Sequence, residues 1–316
     1  MAVLLARTAD RLYWGARYME RAEDTARVVR AYNELVTDFA STELLRWEPL
    51  AALHGADREF TFDPDDPAGE LAVLELLLAD PDNPSSIASS VSAARENLRT
   101  TREVMPREAW QAVNQLSQYV GATASAAVGR QLRDRFLLRV IEISRRLDGI
   151  LESTMTRGSS YRMLRLGRLV ERADMTTRVL GVAAASVLAL ERADREDAIN
   201  EQVRWMSVLR SVSALQMYQR SDHGPINGKA VVRFLMSYAA FPRSVQGCFD
   251  DIRATVLILP RPERILAALD DAEKVLASAD LDNGDADRLD RSMDRVQVAI
   301  ARLAVTIHET YVGESL

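Results

Sequence analysis

The chain has 316 residues, of which 47% are hydrophobic and 27% are charged, so it can bury a sizeable core in one or two domains. Its net charge of −6 and its pI near 5.3 argue against a general nucleic-acid-binding protein, which would carry a basic surplus. No apolar run reaches membrane-spanning length, and the apolar start from Met1 to Ala6 is too short for a signal peptide, so we expect no membrane contact and a cytoplasmic location.

Apolar residues recur at helical spacing along almost the whole chain, and the alternating runs typical of strands are missing. The pattern predicts an all-α protein, a multi-helix bundle. The first helix is expected to follow a cap at Thr8 or Asp10 and to end near Thr37, and Ser85 is expected to cap the fourth helix. The helices predicted for the first half span 8–37, 41–55, 69–80, 86–104, 106–127 and 129–157, with a Pro- and Asp-rich loop over 57–69.

Gly158, Ser159 and Ser160 are expected to divide the chain into two halves, about 1–157 and 158–316. The helix that follows this division repeats the opening helix. The helices predicted for the second half span 161–191, 196–219, 228–240, 242–257, 262–278 and 285–312.

A charged segment of the first helix returns in the middle of the chain. Residues 17–23 read Arg-Tyr-Met-Glu-Arg-Ala-Glu, and residues 168–174 read Arg-Leu-Val-Glu-Arg-Ala-Asp. Later in each half, 84–86 and 242–244 correspond as Pro-Ser-Ser and Pro-Arg-Ser. Charged pairs kept in one register recur by chance less often than apolar patterns do. We therefore predict a single domain with an internal duplication and pseudo-twofold symmetry, because two copies are too few for a solenoid.

Few residues offer the chemistry of a metal site. The one cysteine, Cys248, excludes an internal disulfide and a multi-thiolate site, and its apolar helical surroundings favour a buried structural thiol. The histidines, His54, His223 and His308, show neither Glu-x-x-His nor His-x-x-x-His spacing. The sequence therefore predicts no metal and no cofactor.

Projected at 100° per residue, each of the two repeated helices has a stripe with charged residues opposite a broad apolar face. In the second copy, Leu164 and Met175 make this stripe more apolar, which predicts a more enclosed environment there. The first stripe consists of Tyr13, Arg17, Glu20, Asp24 and Arg27, with Arg21 on its flank, and the second of Leu164, Arg168, Glu171, Met175 and Arg178, with Arg172 on its flank.

Two interpretations of these stripes stay open. In the structural one, Arg17 pairs with Glu20 and Arg168 with Glu171 along each helix, and the two helices exchange ion pairs from Glu20 to Arg172 and from Glu171 to Arg21. In the functional one, the four arginines converge on an anionic ligand and the two glutamates orient them. If one half alone binds a ligand, we expect it to be the half with Arg168, Glu171 and Arg172.

Two further groups are weaker candidates for a ligand or partner interface. Arg95, Arg99 and Arg102 follow i, i+4, i+7 spacing, but neighbouring glutamates favour a solvated or salt-bridged face. Tyr218 and Arg220 lie where His, Asp, Arg and Tyr crowd before a Gly-Pro break, in a loop that either carries function or only caps helices.

Several long motifs, in this order, resemble the alpha-E domain, a bacterial helical family named for its Glu-Arg motif. The likeness covers essentially the whole chain and transfers the family motif to Glu20-Arg21 and Glu171-Arg172, with Arg17 and Arg168 beside them. The matching segments are 13–23, 94–103 with Trp110 and Asn114, 167–174, and Phe234-Leu235 with 242–245.

The resemblance implies partners rather than a reaction. Family members are companions of circularly permuted ATP-grasp proteins, are sometimes fused to them, and often lie beside transglutaminase-like peptidases. We therefore expect an accessory protein that binds an ATP-grasp ligase, and an anionic peptide-like ligand, in the ATP-dependent formation or processing of peptide-like amide bonds. Two alternatives remain: a catalyst of amide formation or transfer that uses Glu20 or Glu171 as general base, and a purely structural scaffold.

Overall fold

The computed structural model describes residues 5–38, 47–51, 53, 68–192, 201–221, 223–280 and 286–313. Within these ranges all regular structure is helical, which confirms the all-α prediction. His54 and most of the helix predicted over 41–55 lie outside the described part, as does the predicted loop over residues 57–67.

Seven helices form the first part of the fold, up to the middle of the chain. Their predicted bounds differ from the observed ones by a few residues at most ends. They are α1 (Ala6–Asp38), α2 (Glu48–Ala51), α3 (Ala68–Leu78), α4 (Ile87–Arg99), α5 (Arg107–Ala127), α6 (Arg130–Thr154) and α7 (Ser159–Arg192).

Six helices follow, and a π-helical turn at Glu309–Gly313 extends the last of them. They are α8 (Glu201–Ser211), α9 (Leu215–Arg220), α10 (Gly228–Ser237), α11 (Val245–Val256), α12 (Glu263–Ala277) and α13 (Ala286–His308). No helix in the described part of the chain combines the length and the apolarity that crossing a membrane requires.

Three predicted helix ends are wrong, each for a local reason. Helix α1 already begins at Ala6, before the predicted caps at Thr8 and Asp10. The cap of α4 is Ser86 and not Ser85, because the Ser86 hydroxyl accepts the amide of the third residue that follows, at 3.0 Å. Helix α4 then ends at Arg99, since the hydroxyls of Thr100 and Thr101 bond to carbonyls of its last turn.

The predicted helix over 196–219 is also wrong in the described part of the chain, where two helices, α8 and α9, replace it. Between them Ser213 adopts a left-handed backbone conformation with φ of 56°. Its amide bonds to the carbonyl of Arg210 at 2.9 Å, and the amide of Ala214 bonds to Leu209 at 2.7 Å. These bonds close the end of α8 and turn the chain sharply.

Helices α1 and α7 lie at the centre of the bundle. Helix α1 packs against α4, α6, α7 and α8, and α7 packs in addition against α11 and α13. The two backbones approach closely at Gly167, where a Cβ atom would lie 2.2 Å from the Tyr13 carbonyl oxygen. Tyr13, predicted on a charged stripe, is buried in this contact. The close approach places Glu20 and Glu171 in the interior.

Two helix caps at predicted corresponding positions make the same hydrogen bonds. The hydroxyls of Ser86 and Ser244 donate to the carbonyls of Asp80 and Tyr238, each six residues earlier, at 2.6 and 2.7 Å. Each also accepts the amide of the residue three positions later. This likeness is what the predicted duplication requires, and the duplication itself stays a prediction.

Candidate functional site

Glu171 of α7 is an acceptor for two arginines of α1. Its Oε2 accepts from Arg17 Nε at 2.7 Å, and its Oε1 accepts from Arg21 Nε at 2.5 Å. The Glu171 side chain is 1% exposed, and both arginines are mostly buried. Each carboxylate oxygen therefore has a charged donor, and the arrangement joins α1 to α7.

Glu20 of α1 makes the reciprocal bonds to α7. Its two oxygens accept from Nε and Nη2 of Arg172, at 2.7 and 3.1 Å. A further arginine, Arg243, brings its Nη2 to 3.1 Å from Glu20 Oε1. Both predicted exchanges between the helices, Glu20 with Arg172 and Glu171 with Arg21, are thus confirmed.

The ion pairs predicted along each helix are wrong. Arg17 turns to Glu171 across the helix contact, and Arg168 pairs with Asp148 of α6. Each arginine pairs with a carboxylate of the facing helix and not with one of its own helix, because the facing carboxylate lies in the buried contact. A bidentate or charge-assisted bond is stronger there than at a solvent-exposed helix surface. The expectation that the second copy is the more enclosed is also wrong, since Glu20 and Glu171 are equally buried.

The arginines hold both glutamates in the ionised form. Burial by itself raises the pKa of Glu20, but Arg172 and Arg243 outweigh it and lower that pKa to about 2. Burial is outweighed at Glu171 as well, where Arg17 and Arg21 lower the pKa. A general base works best with a pKa near the operating pH. Neither glutamate has the electrostatics of a general base.

Three more charged residues of α1, Glu23, Asp24 and Arg27, belong to the same buried network, and two of them, Asp24 and Glu23, face Arg243. Sequence reasoning missed this role of Arg243. Arg243 donates through Nη1 to Asp24 Oδ1 at 2.6 Å, and its Nη2 lies 3.6 Å from Glu23 Oε1. Arg27 is bonded to Glu23. Burial raises the pKa of Asp24 to about 7, with Glu20 and Glu23 adding to the effect and Arg243 opposing it.

The signal for Arg243 was present in the sequence as the Pro-Arg-Ser motif of residues 242–244, which predicted a helix start. The serine does cap α11. Arg243, which lies between the proline and the serine, is buried and bonds to Asp24 of α1, 219 residues earlier in the chain. Periodicity cannot reveal such a contact, because the arginine precedes its helix.

A small cavity of about 30 Å³ opens beside Glu20. One carboxylate oxygen each of Glu20, Glu23 and Asp148 lies there within 4.8 Å of the other two. Among the residues that the structure describes, these three acidic side chains are close enough together to ligate a cation. Arginines already neutralise all three carboxylates. A volume of this size accommodates a water or a single ion and excludes a peptide. Burial raises the pKa of Asp148 to about 6, against the opposing charge of Arg168.

The predicted stripe of Arg95, Arg99 and Arg102 does not form. Arg95 donates to Asn114 Oδ1 at 2.9 Å and lies over the Trp110 ring. Arg99 is exposed and paired with a glutamate of its own helix, and Arg102 lies in a short 3₁₀ turn after the helix has ended. The helix end at Arg99 removes the common face that the spacing predicted.

Tyr218 and Arg220 do not share a site either. Tyr218 is buried, and its hydroxyl donates to the carbonyl of Pro225 at 3.2 Å. Its ring packs against His223 and Phe234 in an aromatic cluster. Arg220, two residues later, is exposed. Tyr218 therefore stabilises the chain reversal after α9, whereas the sequence suggested a surface loop.

Comparison with known proteins yields one family and several relatives. A family model described as a predicted alpha-helical domain with a conserved ER motif matches residues 4–312. Uncharacterised proteins of Mycobacterium bovis and Mycobacterium tuberculosis are each 26% identical over 292 residues, which make up 84% of this chain and 32% of the relative. The chain thus spans about a third of the length of the curated relatives it matches. No solved structure matches it significantly.

Proposed function

Because the chain belongs to the Alpha-E family, we propose that it is an accessory helical protein that binds a circularly permuted ATP-grasp ligase and supports ATP-dependent formation or processing of peptide-like amide bonds. The observation that carries this proposal is the saturation of the Glu-Arg motif. Each motif glutamate is buried and engaged by arginines of other segments. The motif joins helices and so maintains a binding surface, while the chemistry resides in the partner.

The alternative of an independent catalyst lacks support from the residues that it would use. A base at Glu20 or Glu171 would have to release two charge-assisted bonds before it accepted a proton. Cys248 is buried, and burial raises the pKa of its thiol to about 12, so it stays protonated at neutral pH. The nucleophile and the base that amide chemistry needs are therefore assigned to the partner.

The length of the relatives adds support for a partner. In the mycobacterial proteins the matching segment makes up 32% of the chain, so it is covalently joined to much additional sequence. A helical module that functions next to other domains gains from a rigid interior, because ordering the interface then costs less on binding.

A binding experiment tests the proposal. The purified chain is mixed with a circularly permuted ATP-grasp protein from the same organism, and the mixture is analysed by size-exclusion chromatography and by ATP turnover with an acidic peptide acceptor. We expect co-elution and a change in turnover. The same assay with a transglutaminase-like peptidase from the same organism tests the second expected partner. Separate elution together with unchanged turnover would refute the ligase proposal.

Two matched variants separate an internal role of the motif from direct contact with the partner. Glu171→Gln replaces a buried carboxylate with a neutral amide, and Glu96→Gln makes the same change at the exposed partner of Arg99. We expect Glu171→Gln to lower the melting temperature and to leave partner binding intact at temperatures where the variant is folded. Loss of binding by folded Glu171→Gln would mean instead that this glutamate contacts the partner.

A further inference from the structure

A second, larger depression borders the buried network at Arg27, and we name it the arginine groove. It has a volume of about 500 Å³, within the range of small-ligand pockets. Its walls come from α1, α6, the end of α8 and the start of α9. Four arginines line it, Arg27, Arg30, Arg145 and Arg210, together with Ser213 and two apolar side chains, Leu138 and Met217.

Two of the four arginines in the groove have acidic partners, and two do not have a close one. Arg27 is bonded to Glu23, and Arg30 pairs with Glu34 and Asp134 at 3.0 and 2.9 Å. Arg145 is 57% exposed and lies 4.0 Å from its nearest carboxylate. Arg210 forms no ion pair with the residues that the structure describes. The groove therefore presents positive charge in excess of its own acids.

Ser213 places a hydroxyl between these arginines. Its Oγ accepts from Arg27 Nη1 and from Arg145 Nη2, the latter at 3.3 Å. A hydroxyl has one hydrogen to donate, and two guanidinium donors on the oxygen leave that hydrogen directed elsewhere. The left-handed backbone of Ser213, with φ of 56°, is what brings the side chain to this position. Such conformations in residues other than glycine concentrate at ligand sites.

The groove also has an apolar rim. Leu138 and Met217 line it and are 39% and 44% exposed. A lone inorganic anion would fill only a small part of this volume and would leave both side chains in water. An occupant that carries both an oxyanion and apolar side chains fits the whole groove.

We propose that the arginine groove binds an acidic peptide segment, whose carboxylate accepts hydrogen bonds from Arg145, Arg210 and the Ser213 hydroxyl while its apolar side chains contact Leu138 and Met217. Arginine suits this role because its planar guanidinium binds a carboxylate bidentately. The inference does not depend on the ATP-grasp partner, because it concerns binding by this chain alone.

The electrostatics of the neighbouring network favour an anion in the groove. Burial lowers the pKa of Arg27, and the nearby charge of Arg243 lowers it further. A carboxylate bound beside Arg27 relieves this repulsion. The groove is thereby linked to the Glu-Arg motif through Arg27, Glu23 and Arg243, which contact one another in turn.

The test uses the full chain and a fluorescein-labelled peptide that alternates Glu and Leu, with a matched peptide that carries Gln in place of Glu. Fluorescence anisotropy at low ionic strength is the readout, because salt screens exposed charges. We expect the Glu peptide to bind at least about tenfold more tightly than the Gln peptide. Equal affinity for the two peptides would overturn the proposal.

Charge-reversal variants locate the binding. Arg145→Glu and Arg210→Glu should each lower the affinity for the Glu peptide about tenfold or more, and Ser213→Ala should lower that affinity several-fold. The control is Arg99→Glu, which makes the same charge change at an exposed arginine of α4. Melting curves verify that each variant is folded. If Arg99→Glu weakens binding as much as Arg145→Glu does, the effect is general electrostatics and the groove is not the site.

Discussion

At the scale of single residues, the Glu-Arg motif acts through two unequal exchanges. Glu171 receives two arginines from α1, whereas Glu20 receives one from α7 and a second, Arg243, from the segment before α11. Arginine can satisfy such sites because one guanidinium carries five donors and stays charged when buried. A lysine at the same positions would supply a single ammonium and leave carboxylate oxygens unsatisfied.

We predict that Glu171→Gln destabilises the protein by about 3 kcal/mol, since Arg17 and Arg21 would keep buried charge without a carboxylate. The NH2 group of the new Gln side chain would also point its hydrogen-bond donors at the guanidinium donors of an arginine. Urea unfolding followed by circular dichroism gives the free energy of unfolding. The control, Glu96→Gln, affects an exposed, solvent-screened pair and should leave that free energy almost unchanged. Equal losses in the two variants would contradict the role assigned to the buried pair.

A second prediction concerns Asp24, whose pKa burial raises from 3.8 to about 7. Between these pH values the folded protein holds a proton that the unfolded chain has released. This contribution to stability is complete below about pH 4 and is lost as the pH rises through about 7, at up to about 1.4 kcal/mol per pH unit. Asp24→Asn cannot titrate, so it should lack the contribution.

The measurement is the free energy of unfolding of both proteins from acidic to neutral pH. We expect the free energy of unfolding of the wild type, minus that of Asp24→Asn, to fall steadily as the pH rises. The reason is that the buried carboxylate becomes charged only in the wild type. Glu20 and Glu171 titrate far lower and affect both proteins alike. Parallel curves for the two proteins would show that folding does not raise the pKa of Asp24, and would contradict the prediction.

At the scale of elements, the contact of α1 with α7 depends on the missing side chain of Gly167. Its Cβ position is 2.2 Å from the Tyr13 carbonyl oxygen, which belongs to the backbone and cannot rotate away. The same close approach is what allows Arg17 and Arg21 to reach Glu171. The small residue and the ion pairs therefore depend on each other.

We predict that Gly167→Ala costs about 2 kcal/mol or more, because the two helices must separate around the new methyl group. Thermal unfolding of the variant and the wild type measures this loss of stability. Gly149 in α6 is the matched control, since an added Cβ there meets no atom within 4 Å. Gly149→Ala should stabilise by up to about 1 kcal/mol through the helix propensity of alanine. A neutral Gly167→Ala would mean that the helices are farther apart than described.

At the scale of the whole molecule, the two predicted halves share one interior. Helix α1 of the first half is surrounded by α4 and α6 of that half and by α7 and α8 of the second. The acceptor for Arg17 and Arg21 lies in the second half, and that for Arg172 lies in the first. Such an arrangement favours one cooperative unit.

We therefore predict that residues 1–157 and 158–316, produced separately, do not unfold cooperatively, because each would expose half of the α1–α7 contact and its charges. The full chain should give coincident unfolding transitions in near- and far-UV circular dichroism. Each half alone should keep helical far-UV signal and lose the near-UV signal of its packed aromatic residues. A cooperative transition in either isolated half would instead identify that half as an independent domain.

Much of the helical architecture and the register of the motif follow from local pattern. Helical periodicity and caps depend on residues within a few positions of one another, so the chain predicts the all-α class and most of the helix bounds without tertiary information. The exchange from Glu20 to Arg172 and from Glu171 to Arg21 followed from the repeat, because two equivalent helices that meet bring equivalent residues together. The errors at α4 and α8 arose where a hydroxyl or a left-handed residue ended a helix that periodicity would have continued.

The sequence by itself determined that the chain is helical and that its charged pairs recur in one register. Only the tertiary structure decided what those charges meet: Arg243 joins Glu20 and Asp24 from far along the chain, and Arg168 turns to Asp148 instead of Glu171. It alone gathered Arg27, Arg145 and Arg210 around Ser213. The physical reason is range. Hydrogen bonds within a helix are local, whereas a buried charge selects its partner from whichever segments the packing of the core brings near.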